Sequence, residues 1–220
     1  MIDKLNILMV DDHPMIIEGY IRVLTSNKKY DLNIKVAINC DEAFDAICKS
    51  KETQPFDMVF IDIQLPASKN KLITSGEDIA VIVKRELPKA KIVILTMVNN
   101  PIRINNILKT TPHNGVLIKS DITSKILLSA FDKIQKNNTY YSEEVKKLTS
   151  KNVTSEDVLD EHNKKIIYYL SKGVKTKKLT EYIPLSLSAI EKRKNFIKQK
   201  FSVTGEDEEL LLEAKKRGFI

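Results

Sequence analysis

Five polar residues stand directly after short apolar runs. Asp11 and Asp12 follow Asn6–Val10, Asp62 follows Met58–Ile61, Thr96 follows Lys91–Leu95, and Lys119 follows Gly115–Ile118. Gathered in space, they would make a phosphoryl-transfer site. Three crowded carboxylates repel one another, and a hard divalent cation such as Mg²⁺ (or Mn²⁺) relieves that repulsion through oxygen ligands. One carboxylate can act as a nucleophile toward phosphorus. A hydroxyl and an ammonium can then stabilise the phosphoryl oxygens that result. Taken singly, each residue has a plainer reading. An acid at a strand end is commonly a helix N-cap or a loop residue, as Asp41 and Asp121 could be, and a single Lys or Thr there is an ordinary surface group. The joint placement is what argues for chemistry.

A parallel sheet is the element that would position them. The apolar runs, with Asn33–Ala37 as a fifth, are short, rich in Ile and Val, and flanked by polar or turn residues. Stripes at helical spacing lie between them and after the last: Ile16, Ile17, Tyr20, Ile21 and Leu24; Ala43, Ala46 and Ile47; Ile79, Ile82 and Val83; Ile104, Ile107 and Leu108; Ile126, Leu127, Ala130, Phe131 and Ile134. Five βα units over 1–136 predict an α/β domain whose parallel sheet is covered by helices on both faces. Ligands of such sheets bind outside the C-terminal strand ends, where the five polar residues fall.

From 137 to 158 the chain is polar and reads as a connector, with one short helix near Glu143–Leu148 capped by Ser142. Beyond it, 159–220 carries four helical patterns and no strand: Asp160–Ser171, Lys175–Tyr182, Leu187–Phe201 and Asp207–Arg217. Gly173 stops the first and Gly218 the last. A second, small all-α domain is expected there.

Composition agrees with two folded domains. The 220 residues are 42% hydrophobic and 30% charged, which excludes wholesale disorder. No uncharged apolar run approaches the ~18 residues of a membrane span. Cys40 and Cys48 are too few for a disulfide framework or a four-thiolate zinc site. A soluble, cytoplasmic protein without membrane contact is expected. The net charge of +7 is unevenly spread. Residues 1–136 hold 19 Lys/Arg against 16 Asp/Glu, whereas 164–200 hold 11 against only Glu181 and Glu191. A basic block of that density points to an anionic partner, most often nucleic acid.

At the strand ends the sequence resembles a two-component response-regulator receiver domain. The matching motifs are Val10-Asp11-Asp12-His13-Pro14, Phe60-Ile61-Asp62-Ile63-Gln64-Leu65-Pro66, Ile94-Leu95-Thr96 and Leu117-Ile118-Lys119. The resemblance implies a flavodoxin-like fold with strand order 2-1-3-4-5, for which the receiver is a standing example. It implies that Asp62 accepts a phosphoryl group from a sensor histidine kinase. Asp12 and Asp62 would hold the metal through side chains, Asp11 largely through water, and Gln64 through its backbone carbonyl. Thr96 would hydrogen-bond the phosphoryl group and Lys119 would pair with it. Two departures stand out. Receivers place a glycine about four residues after the proline corresponding to Pro66, whereas here the next is Gly76. Ala67–Ser75 thus carries roughly six extra residues, including Lys69 and Lys71, which either tune the neighbouring site or are a tolerated surface insertion. The position of a common aromatic switch residue, three before Lys119, is Val116.

The basic block resembles a NarL/LuxR-type (FixJ-type) helix-turn-helix over about 159–220. Asp160 would cap its first helix and Ser186 the recognition helix. Helical geometry sorts the latter into faces. Ile190, Arg193, Lys194, Ile197 and Phe201 lie along the packed side, while Ser188, Glu191, Lys192, Asn195 and Gln199 project the other way. Such a polar face suits the major groove of double-stranded DNA, because Asn and Gln pair with adenine, Lys with guanine and Glu with the cytosine amino group. Lys177, Lys178, Lys194 and Lys198 are expected on phosphates, which position without reading sequence. Departures from the family are Asn163 in place of a usual Glu, Glu191 in place of a basic residue, and Ser202 in place of a common Gly. The C-terminal helix, with Leu210, Leu211 and Ala214 as its apolar stripe, resembles the family's dimerisation helix or else simply packs on the small domain.

The reading that joins the halves is a transcriptional regulator controlled by phosphorylation of Asp62, not an enzyme, and a homodimer when phosphorylated. Two rivals remain open. One is an atypical receiver acting without phosphorylation. The other is an Asp-nucleophile phosphatase, against which Gln64 speaks, since such enzymes commonly carry a second Asp two residues after the nucleophile.

Overall fold

The computed structural model describes residues 3–70, 72–150 and 159–220; Lys71 of the insertion and residues 151–158 of the connector lie outside them. The chain divides into two compact units, Met1–Met97 with Thr111–Lys147, and Val98–Thr110 with Leu148–Ile220.

The first unit is built on strands β1 (Asp3–Val10), β2 (Tyr30–Ala37), β3 (Met58–Asp62), β4 (Lys91–Thr96), β5 (Gly115–Ile118) and β6 (Tyr140–Tyr141), all parallel, in the order 2-1-3-4-5-6. Helices α1 (Pro14–Thr25), α2 (Cys40–Glu52), α3 (Gly76–Glu86) and α5 (Ser124–Gln135) cover it. Alternation along the strands assigns the two faces. Ile7, Met9, Met58, Phe60, Val93, Leu95 and Leu117 pack with Ile17 and Leu24 of α1 and with Leu127, Ala130, Phe131 and Ile134 of α5. The intervening Leu8, Val10, Val59, Ile61, Ile92 and Ile94 are just as buried on the other side. Both faces being covered explains why these strands read as continuous apolar runs.

Caps follow local chemistry. Asn39 accepts from the Glu42 N–H while Glu42 reaches back to the Ile38 N–H, a reciprocal box at the start of α2; Thr123 caps α5. The short helix expected in the connector is α6 (Glu143–Thr149). Its capping differs from expectation. The Ser142 hydroxyl accepts from the Ile118 N–H, and it is Asp121 that accepts from the Glu144 N–H. Strand β6 was also unforeseen. Tyr140 and Tyr141 pair with Gly115 and Val116, so the sheet continues beyond 136 into the supposed connector.

The Ala67–Ser75 insertion is a closed loop. The Ser68 N–H donates to the Ile73 carbonyl, Lys69 N–H to Asp41, and Thr74 to Asp78. It rejoins the core at Gly76, where a Cβ would sit 1.9 Å from the Asp62 carbonyl oxygen. No side chain fits there, which is why the insertion must end on glycine.

The second unit contains α4 (Pro101–Thr110), α7 (Glu161–Ser171), α8 (Leu187–Lys200) and α9 (Asp207–Lys216). Its core joins Leu159, Ile166, Ile167, Tyr169, Leu170, Leu179, Ile183, Ile190, Ile197, Phe201, Leu210 and Ala214. Asp160 caps α7 through the Asn163 N–H and Ser186 caps α8 through the Ala189 N–H. The segment expected as a helix at Lys175–Tyr182 is a 3-10 turn, Thr176–Glu181. Only Leu179 anchors it in the core, and so short a segment gains little from α geometry. α4, placed with the sheet in the sequence reading, clusters with these helices. Its buried Asn106 donates to the Leu159 carbonyl, and Thr110 Oγ1 accepts from Lys164.

Candidate phosphoacceptor and nucleic-acid sites

Strand β2 lies on one side of β1 and β3 on the other, so the order of strand addition reverses there and opens a crevice at the C-terminal ends of β1 and β3. Asp11 and Asp12 leave β1, Asp62 ends β3, Thr96 ends β4 and Lys119 follows β5, so neighbouring strands deliver the predicted set to one end of the sheet. Asp11, Asp62 and Thr96 are buried, and the Lys119 side chain is 3% exposed. Lys119 Nζ lies 2.7 Å from Asp62 Oδ2 and 2.7 Å from Asp11 Oδ2. Asp62 Oδ1 accepts from the Gln64 N–H at 3.2 Å. Burial raises the Asp62 carboxyl above the ordinary value, although the Lys119 bond and charge pull the other way. Burial opposes the Lys119 charge, yet the bonds and charges of Asp11 and Asp62 outweigh it and hold the ammonium above its usual range.

Asp12 is half-exposed and turned toward a residue the sequence reading left aside. His13 Nδ1 lies 2.7 Å from Asp12 Oδ1 and 3.2 Å from Asp11 Oδ1. Its position directly after the acid pair was the only signal available. One oxygen each of Asp11, Asp12 and Asp62 and a ring nitrogen of His13 lie within 4.8 Å of one another. Asp11 Oδ2 meets only the Lys119 ammonium, and the buried Asp12 Oδ1 faces the His13 ring. Clustered carboxylate oxygens with uncommitted lone pairs are compatible with a hard divalent metal.

In the second unit, Ser188, Glu191, Lys192, Asn195 and Gln199 are all exposed on one side of α8. Lys177 and Lys178 are exposed on the 3-10 turn. Lys194 and Lys198 are placed differently from their expected role as phosphate contacts. Both ammonium groups are largely buried against Asp207, at 3.0 and 3.3 Å, and Lys198 also donates to the Gly205 carbonyl. Burial opposes the charge of Asp207, but the two lysines hold it below the usual carboxylate range. Arg193 donates to Asp160 at 2.6 Å and to buried Asn163 at 3.0 Å, clamping α8 to α7. The acid missing at Asn163 is thus supplied by Asp160, three residues earlier. Ser202 closes α8 at φ 55°, the left-handed conformation its glycine counterpart adopts freely.

The family model described as the response regulator receiver domain matches residues 7–131, and the chain belongs to that family. Among curated proteins it is similar to the transcriptional regulatory protein MctR of Rhizobium johnstonii, with 26% identity covering 91% of this chain and 89% of that one. It is also similar to the oxygen regulatory protein NreC of Staphylococcus carnosus, with 22% identity covering 97% and 98%. Among solved structures, RcsB from Salmonella enterica serovar Typhimurium, bound to promoter rprA in the presence of the phosphomimetic BeF3-, shares its fold with a TM-score of 0.72, 19% identity and coverage of 97% and 99%. Among the described residues no helix is long and apolar enough to cross a membrane.

Proposed function

We propose that the protein is a DNA-binding transcriptional regulator switched by phosphorylation of Asp62. The observation that carries the reading is the buried Asp11–Lys119–Asp62 arrangement, with both carboxylates 2.7 Å from one ammonium. A carboxylate oxygen of Asp62 attacks the phosphorus of a sensor kinase's phosphohistidine. The P–N bond breaks with its electron pair returning to the imidazole, and an acyl phosphate forms. Lys119 then moves from carboxylate pairing to the new phosphoryl oxygens, and Thr96 donates to one of them. Asp11, Asp12 and Asp62, with the Gln64 carbonyl, would hold Mg²⁺ or Mn²⁺. When bound, the ion neutralises charge on the transferring phosphoryl group.

Phosphorylation replaces the single charge of the Asp62 carboxylate by the roughly double charge of a phosphoryl group in a buried pocket with one ammonium, and that change biases a two-state receiver surface. A bias of about 2–3 kcal/mol alters populations roughly 30–150-fold. The consequence for the second unit is dimerisation and placement of two α8 helices about 34 Å apart on duplex DNA. Ser188, Glu191, Lys192, Asn195 and Gln199 read bases. Lys177 and Lys178 contact phosphates, while Lys194 and Lys198 brace α8 against Asp207. The printed names of MctR and NreC and the promoter in the RcsB complex support this direction. The test measures affinity for duplexes selected from a random pool, with and without beryllofluoride. Tighter, dimer-dependent binding with the mimic is expected. Equal binding in both states favours a receiver that works unphosphorylated, and steady phosphate release from simple esters favours a phosphatase.

A further inference from the structure

The face of α8 assigned to bases is polar, yet an aromatic ring stands at its edge. Phe196 is 45% exposed, although the same helix buries Ile190 and Ile197 completely. At 100° per residue it lies one turn after Lys192 and about 40° further round the helix. It therefore borders the stripe of Lys192, Asn195 and Gln199 and sits away from the core side. Lys200 Nζ stands 5.1 Å from the ring centroid. Exposing a phenyl ring forfeits burial that the core offers one position later, so the fold itself gains nothing from this placement.

We infer that Phe196 is a specificity-determining residue that reads the 5-methyl group of a thymine in the major groove, an inference resting on the DNA-binding reading above. The chemistry follows from groove geometry. Hydrogen-bonding base edges lie toward the middle of the major-groove floor, whereas the thymine methyl projects at its side, next to the sugar–phosphate wall. A helix that sets Asn195 and Gln199 centrally brings a residue on the flank of that stripe to the wall side. An apolar ring there meets the methyl, and the ammonium beside the ring is placed for the adjoining phosphate. A base step combining a hydrogen-bonded purine with a neighbouring thymine is the sequence this surface fits.

The experiment uses the full chain, treated with beryllofluoride, and the duplex it enriches from a random pool. Each thymine is replaced in turn by deoxyuridine, which removes only the methyl. At one thymine per half-site the wild-type protein should lose about fourfold in affinity, the worth of one buried methyl group. Phe196→Ala should bind the thymine and uracil duplexes equally, and Phe196→Leu should keep part of the discrimination. Circular dichroism should be unchanged in both variants, because the side chain lies outside the core. Indifference of the wild type at every thymine overturns the inference, as does Phe196→Ala retaining the same methyl preference. If no duplex is enriched over random sequence, the DNA-binding reading fails first, and that result is distinct from either of these.

Discussion

The two candidate sites solve opposite problems. Around Asp62, charge is taken out of water and matched in part, with Lys119 holding two carboxylates and the Gln64 N–H donating to Asp62. On α8, charge is left in water on one face and matched only on the other, where Asp160, Asn163 and Asp207 engage Arg193, Lys194 and Lys198. The first arrangement suits a switch. Buried charges interact strongly, so a change of about one unit there is felt by the surrounding packing. The second suits a reader, since exposed groups cost little to carry and are free to exchange water for a base edge. The difference teaches that cations in a basic block are not equivalent, and burial sorts them into tools and braces.

Experiments can break this contrast. The largest effect is expected at the nucleophile: Asp62→Asn should abolish acyl-phosphate formation with acetyl phosphate and Mg²⁺, followed by radiolabel or intact mass. Undiminished labelling would remove Asp62 from its role. Next is Gly76→Ala, whose new methyl would collide with the Asp62 carbonyl; a loss of about 3 kcal/mol in urea unfolding is expected from such overpacking. On α8, Lys192→Ala and Asn195→Ala should each weaken binding to a selected duplex about 10–100-fold and leave random-sequence binding nearly intact. Equal losses on both duplexes would reduce them to general charge contacts.

Smaller effects test the braces. Asp160→Ala removes the α7 cap and the Arg193 partner, and should cost about 1 kcal/mol. Burial works against the Asp160 charge, but the Arg193 bond and the Asn163 N–H hold the carboxyl below its ordinary value. Its folded state therefore ionises more readily than its unfolded one. The stabilisation is complete above the ordinary aspartate value and is lost as the pH falls toward the lowered one. An acid titration followed by helical ellipticity should show the wild-type advantage over Asp160→Ala shrinking in that window; an advantage independent of pH would deny the pair its part. The smallest shift is a gain. Ser202→Gly relieves a left-handed serine and should raise stability by roughly 1 kcal/mol.

The convergence of Asp11, Asp12, Asp62, Thr96 and Lys119 was legible because each follows or ends an Ile/Val-rich run, whereas the strand order came from the resemblance to receiver domains. Strand β6 was not, since two tyrosines after Asn137-Asn138-Thr139 have no periodicity of their own and become a strand only beside Gly115 and Val116. The exposed polar face of α8 was legible in outline from helical geometry. The fate of Lys194 and Lys198 was hidden, because a helical wheel shows direction but not the arrival of Asp207 from the next helix. The cap on α6 was misjudged for the same reason. Ser142 stood at the right place locally, and Asp121 came from 23 residues away.

The sixth strand has a practical bearing on how the molecule can be divided. A fragment ending at Gln135 would retain every residue of the phosphoacceptor site and yet leave β5 as an open edge, with its backbone groups free to pair with another chain. It would also lose Ser142 and Val145, both fully buried. Such a fragment should self-associate along β5, whereas one carried through α6 should remain monodisperse. Apparent oligomers of a shortened switch domain would then report where the chain was cut, and not how the intact protein signals.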